Sequence, residues 1–362
     1  MKIFPPKKKK HLSLVADNYF MKYVNLGSSG VKVSALCLGT WHLPILSELD
    51  EYGVHKINED LFLKIAKRAY DSGINFYDTS NRYHGAMAPV DLNHVGNAEK
   101  LLGKFLAEVD RESVVLATKV RGQMAAWQNG EGLSRKHIRW QIRESLKRLG
   151  TSYVDLYQIH WADPSTPKME ILSTLNYLIS DGTVNYIGIS NHSAADVAGF
   201  MQLSVERGLE GFISTQDLYN VIDRGLEAEK TWILNRYGMA VLAYSPIAQG
   251  VLTGKYVDFS SGKWVVPEGT RGERFESVRR YFTDQNLRLI KELKDIADSK
   301  GATVTQVSLA WLMSSQERLG FVTIPIIGVT SIDQLEENLR SLDVKLTKDD
   351  LQRIDEITGK GP

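Results

Sequence analysis

Cysteine is nearly absent. Cys37 stands alone among 362 residues, which excludes an intrachain disulfide and fits a reducing compartment, so a cytoplasmic location is expected. It lies in the apolar run Val33 to Leu38, where a buried, inert thiol is expected rather than a nucleophile. Long hydrophobic runs are missing as well. No stretch approaches the roughly 20 apolar residues that span a bilayer, so no membrane partner is expected. A third absence is excess charge. Forty-four basic residues against 43 acidic ones leave a formal net charge of +1. That balance supplies no global field to draw the chain to nucleic acid or an anionic surface. The remaining composition, 43% hydrophobic and 24% charged, is that of a soluble globular chain with ample core material.

Residues 1–21, with the block Lys7 to Lys10, read as a disordered basic tail, too interrupted for a signal peptide. Residues 22–362 read as a single domain. Tyr23-Val24-Asn25-Leu26, the turn Gly27-Ser28-Ser29-Gly30 and Val31-Lys32-Val33 predict a β-hairpin. A buried strand over 35–38 follows, then a variable loop after Trp41 and an amphipathic helix over 60–70. From there the alternation is regular. Strands are expected at 74–79, 114–120, 154–160, 186–190, 212–218, 240–245 and 321–327, with helices between most of them. One helix spans 135–149 with Ser134 as its N-cap. An additional C-terminal helix covers 348–358. Eight nearly equal units favour an α/β fold of the (β/α)8 TIM-barrel type over an open doubly wound sheet. The excursion over 249–281 is too long for a simple connection and is expected to act as a lid or binding loop.

In such a barrel the C-terminal strand ends converge on one face, where active sites sit. Those ends read Gly39-Thr40-Trp41, Asp78, Lys119, His160, Ser190-Asn191, Gln216, Tyr244-Ser245, and Gly328 with Thr330. A single polar residue at a strand end is ordinary. Asp, Lys and His at three consecutive ends form a chemical set, and Tyr83 follows Asp78 on the adjoining loop. A phenol is a poor acid at neutral pH unless its ionised form is stabilised. Lys119 can provide that stabilisation, Asp78 can hold the lysine, and His160 can donate a hydrogen bond to a carbonyl oxygen. The set suits reduction of an aldehyde or ketone, with the proton from Tyr83 and the hydride from a cofactor, because no side chain supplies one. A barrel hydrolase built on Asp78 and His160 leaves Lys119, Ser190-Asn191 and Tyr244 unexplained and ranks far lower.

From Lys22 to Leu342 the sequence resembles the aldo-keto reductases. The resemblance is carried by Asp78-Thr79-Ser80-Asn81-Arg82-Tyr83, by Lys119 in Leu116-Ala117-Thr118-Lys119, and by His160 in Leu156-Tyr157-Gln158-Ile159-His160. It is closer to the branch of potassium-channel beta subunits and their bacterial and archaeal relatives than to the aldose reductase branch. It implies a barrel that binds NADP(H) without a Rossmann fold, NAD(H) remaining open, and a catalytic tetrad of Asp78, Tyr83, Lys119 and His160. By the same resemblance Ser190, Asn191 and Gln216 hold the nicotinamide carboxamide and Tyr244 stacks on its ring. Ser245, Pro246, Ile247, Gln249 and Gly250 form the pyrophosphate loop, with Lys255 and Arg271 as contacts from the excursion. Gly328, Thr330, Gln334, Glu337 and Asn338 hold the adenosine end, and Gly39, Thr40, Trp41 and Asp78 complete the cofactor set.

The substrate, a small carbonyl compound, is expected among Trp41, Tyr83, His84, Trp127, His160 and Trp161. Many relatives place an arginine where Thr330 stands, so the usual grip on the 2′-phosphate is altered. His84 and His94 in the long loop 84–97 lack a third partner for a metal. They read as loop residues, and no metal is expected. No nucleic-acid partner is expected, and a homo-oligomer remains open. The alternative function is a regulatory NADP(H)-binding subunit like those of potassium channels.

Overall fold

The structure, a computed structural model, describes residues 21–86 and 91–359. The expected basic tail therefore lies outside the described residues except for Met21, which is buried against the core rather than part of a tail. Eight strands close a barrel: β1 (Cys37–Gly39), β2 (Phe76–Asp78), β3 (Val115–Val120), β4 (Val154–Ile159), β5 (Val184–Ser190), β6 (Ser214–Leu218), β7 (Ala240–Tyr244) and β8 (Thr323–Ile327). All pairings are parallel. Ile326 and Ile327 pair with Cys37 and Leu38 to close the ring.

These strands read as continuous apolar runs because both faces are covered. Alternate residues point opposite ways. Cys37, Phe76, Ala117, Leu156, Leu242 and Ile324 form one buried cluster inside the barrel, while Leu38, Tyr77, Leu116 and Tyr157 pack outward under the helices. Those helices include α1 (Glu59–Asp71), α2 (Asn97–Leu106), α3 (Arg135–Leu149), α4 (Lys168–Ser180), α5 (Ala194–Arg207) and α6 (Gly225–Tyr237). Ser134 caps α3 by accepting from the His137 amide, as the sequence predicts, and Gly150 in the left-handed region ends it. After β7 come α7 (Asp284–Ser299) and α8 (Val304–Met313); after β8 come α9 (Ile332–Leu339) and the terminal α10 (Lys348–Thr358).

The N-terminal hairpin, Tyr23–Asn25 with Lys32–Ser34, plugs the barrel end opposite the site. Leu26 and Val33 enter the interior cluster. Its turn needs Gly27: φ is +59°, and a Cβ there would lie 2.0 Å from the Ile213 carbonyl oxygen. Two segments differ from expectation. The loop after Trp41 holds a second hairpin, Ile45–Leu49 with His55–Ile57. Asp50 shapes its turn by accepting from the Tyr52 and Val54 amides. The 249–281 excursion is ordered into a 3-10 segment, a small ribbon (Val257–Asp258 with Lys263–Trp264) and two short helices.

Candidate active site

The C-terminal strand ends open into a cleft of about 1020 Å³, at the large end of small-ligand sites. At its floor, β2 ends in Asp78 and β3 carries Lys119. Both side chains are buried, 3% and 0% exposed. Lys119 Nζ donates to Asp78 Oδ2 at 2.5 Å, to the Thr79 carbonyl oxygen at 2.8 Å and to the Tyr83 hydroxyl oxygen at 3.1 Å. An ammonium has three protons, and these acceptors account for all of them. The Tyr83 hydroxyl thus accepts from Lys119 and keeps its own proton for an acceptor in the cleft. The second Asp78 oxygen accepts from the Gln158 and Gln216 side-chain amides at 3.1 and 2.9 Å. A buried ion pair is sustained when its remaining lone pairs and protons are hydrogen-bonded in this way.

The protonation states follow from burial and neighbours. Burial would lower the Lys119 pKa, but Asp78 and the Tyr83 hydroxyl outweigh it and hold the ammonium above its ordinary value. For Tyr83, burial is the largest influence and raises the pKa; the Lys119 charge and hydrogen bond pull it down by less. The sequence reading expected a lowered phenol. Lysine acts in that direction, yet desolvation wins, and the phenol is held in the protonated form that donates. His160 is pushed well below its ordinary pKa, first by burial, then by Lys119, Arg82 and Arg121. It is a neutral imidazole with Nδ1 3.3 Å from the Ser80 hydroxyl. Trp41 meets the Tyr83 ring edge-on at 4.9 Å, and Trp161 packs on His160 at 4.6 Å.

Along the other wall, the Tyr244 hydroxyl donates to Asn191 Oδ1 at 2.9 Å, and Asn191 Nδ2 donates to the His160 carbonyl at 3.1 Å. The next segment is conformationally unusual. Ser245, Ala248 and Gln249 all have φ near +50°, beside Gly250 at +96°. Non-glycine residues held there cluster at functional sites. A Cβ at Gly250 would meet Lys255 Nζ at 3.3 Å. Lys255 and Arg271 line the cleft, and neither has a carboxylate partner among the described residues. The buried Nδ1 of His42 has no hydrogen-bond partner either. Burial and the Arg271 charge press the His42 pKa down to about 3. Thr330 donates from its amide and hydroxyl to Gln334 Oε1, and the Ser331 hydroxyl caps α9.

Most residues singled out from sequence therefore line one cleft. Five do not. Lys119 lies beneath its floor. The Thr40 and Ser190 hydroxyls donate to the backbone carbonyls of Asp78 and Gln216. His84 turns away and meets His94 edge-on at 4.4 Å. Trp127, 67% exposed, packs on Trp140. His94 is bracketed by Asp91 and Asp50, each at 2.7 Å. Cys37 sits inside the barrel, its thiol raised by burial and then by the Asp78 charge. Sequence reasoning missed Gln158, Arg82, His42 and Thr305. The last three line the cleft, and Gln158 fastens Asp78.

A closed barrel whose strand ends carry this set is the frame of a carbonyl-reducing oxidoreductase. The chain belongs to the aldo/keto reductase family, whose pattern matches residues 35–358. A Schizosaccharomyces pombe protein bearing the name of a voltage-gated potassium channel subunit beta is 33% identical over 348 residues, covering 93% of each chain. Versiconal hemiacetal acetate reductase of Aspergillus parasiticus is 30% identical over 355 residues, 93% of this chain and 96% of that one. L-glyceraldehyde 3-phosphate reductase of Escherichia coli is 30% identical over 351 residues, 94% of this chain and 93% of that one. Membership of this family makes an oxidoreductase with a small-molecule substrate the class, and a nicotinamide its fitting cofactor. No helix among the described residues is long and apolar enough to cross a membrane.

Proposed function

We propose that residues 22–362 form one domain that reduces aldehydes or ketones to alcohols, or runs the reverse reaction, with NADP(H). The observation that carries this reading is the Lys119 ammonium fastened to Asp78, Thr79 and Tyr83, which leaves the phenol's proton free to enter the cleft. Tyr83 gives that proton to the carbonyl oxygen, and Lys119 stabilises the tyrosinate that results. His160, neutral, orients the carbonyl oxygen by hydrogen bonding. Bound nicotinamide supplies the hydride that no side chain can.

Several observations support a fit to the dinucleotide. Lys255 and Arg271, without a carboxylate partner among the described residues, suit its phosphates. The orphaned His42 nitrogen and the 245–250 loop lie along the same cleft. Asn191 and Gln216 are the residues for its carboxamide, and Tyr244 for its ring. Since Thr330 and Gln334 satisfy each other, the 2′-phosphate falls to Lys255 or Arg271. A lone buried cysteine suits a cytoplasmic setting, and no nucleic-acid partner is proposed. The test is NADPH oxidation by purified protein against short and aromatic aldehydes. Turnover is expected; cofactor binding without turnover of any carbonyl would instead favour a regulatory NADP(H)-binding subunit. The likeness to a channel beta subunit gives that second reading its footing.

A further inference from the structure

The substrate end of the cleft carries positive charge that proton donation by Tyr83 does not use. Arg82, directly before Tyr83, lines the cleft. It donates one N–H to the Gln123 carbonyl at 2.8 Å and has no carboxylate partner among the described residues. Its place is built into the fold. A Cβ at residue 122 would come within 2.4 Å of Arg82 Cδ, so Gly122 makes room for the arginine stem. Arg121 stands beside it, at the exit of β3, with φ at +137°. That is a backbone conformation a non-glycine residue holds only under strain. Its guanidinium lies 5.0 Å over the Trp161 ring, its Nε is buried without a partner, and its carboxylate neighbour Glu131 is exposed at 3.5 Å. Arg82 shares the cleft wall with His160, and Arg121 reaches that imidazole through Trp161, which packs on it at 4.6 Å; both charges also depress the His160 pKa, after burial and Lys119.

Arg121 does not itself line the cleft but lies on Trp161, which does, and neither arginine has a buried counter-charge among the described residues. An anionic ligand group at Arg82 supplies the missing counter-charge, and the guanidinium fork matches a carboxylate or phosphate bidentately. We propose that Arg82, backed by Arg121, forms an anion-recognition subsite beside Tyr83 and His160, and that the chain acts on carbonyl compounds bearing a carboxylate or a phosphate. This rests on the reading of the site as a carbonyl reductase.

The experiment compares matched pairs of aldehydes with NADPH: succinic semialdehyde against butanal, and glycolaldehyde phosphate against glycolaldehyde. Wild type is expected to favour the charged member of at least one pair in kcat/KM by about 10- to 150-fold, the range of a charged hydrogen bond, with most of the difference in KM. The pair that shows it identifies the anion. Arg82→Met is expected to remove most of that preference by raising KM for the charged member. Arg82→Lys, which keeps the charge and loses the fork, should restore part of it. Equal use of charged and neutral members by wild type would overturn the subsite while leaving carbonyl reduction standing. Turnover of no aldehyde would overturn both readings. A preference that survives Arg82→Met intact would take the recognition away from this arginine.

Discussion

The two ends of the cleft are built on opposite principles. At the tetrad end every proton of Lys119 and both oxygens of Asp78 have partners within the chain. At the far end Lys255 and Arg271 face the cleft without a carboxylate, and His42 keeps a buried nitrogen without a hydrogen bond. The first arrangement is preorganised, so nothing must move to bring charge to a reacting carbonyl. On the proposed function the second is completed by a ligand, whose anionic oxygens would pair with these groups. In the proposed reading the tetrad supplies the chemistry and the far end holds the cofactor.

The largest expected effect breaks the chemical end alone. Tyr83→Phe should lower kcat by at least ~100-fold, since general acid catalysis typically contributes that much or more. NADPH affinity should stay near wild type, as read by fluorescence titration. A variant with half the wild-type rate would end the assignment of Tyr83 as proton donor.

Lys119→Met probes the same end through its ion pair. Removing one partner of a buried pair costs about 3–5 kcal/mol, so denaturant unfolding should show a loss of that order. The pH profile has a definite sign as well. In the proposed mechanism reduction needs the protonated phenol, and Lys119 pulls the Tyr83 pKa down. Without it the alkaline fall in rate should move to higher pH. An unchanged profile and rate would make Lys119 purely structural.

Thr330→Arg sharpens the holding end. A charged hydrogen bond is worth roughly 1.5–3 kcal/mol, so the NADPH over NADH preference should grow by about 10–150-fold in kcat/KM. If the ratio does not change, the segment around Thr330 is not the adenosine end.

The smallest effect concerns neither end. His94, edge-on to Tyr52 and His84, is bracketed by Asp50 and Asp91. Burial opposes its protonation, but the two carboxylates win and raise its pKa above the ordinary 6.5. A raised folded-state pKa adds stability that is fully present below the ordinary value and lost as pH rises through the raised one. The Tm gap between wild type and His94→Gln should therefore be wider at acidic than at alkaline pH. A gap that widens with pH would contradict the bracketing.

The barrel and the tetrad were legible because a strand buried on both faces is an unbroken apolar run, and its first polar residue marks the exit. Asp78, Lys119 and His160 are such residues. Gln158 was not legible: it lies within an apolar strand, and its partner Asp78 is on another. Arg82 stands in a segment whose flanking residues draw the attention, and its want of a carboxylate exists only in three dimensions. Trp127 was assigned to the substrate mouth because it follows a strand end, and His84 because it opens the long loop there, but adjacency does not fix side-chain direction. The second hairpin escaped notice because all of Ile45–Leu49 is exposed, so no buried face imposes an alternating pattern.

The division of labour between the two ends is tested most directly by one paired measurement: NADPH dissociation constants and single-turnover reduction rates at saturating NADPH for Tyr83→Phe and Arg271→Met. Tyr83→Phe should bind NADPH like wild type and fail to turn over. Arg271→Met should bind NADPH about 10–150-fold more weakly, yet reduce its aldehyde near the wild-type rate once saturated. Loss of both properties together in either variant would contradict the account.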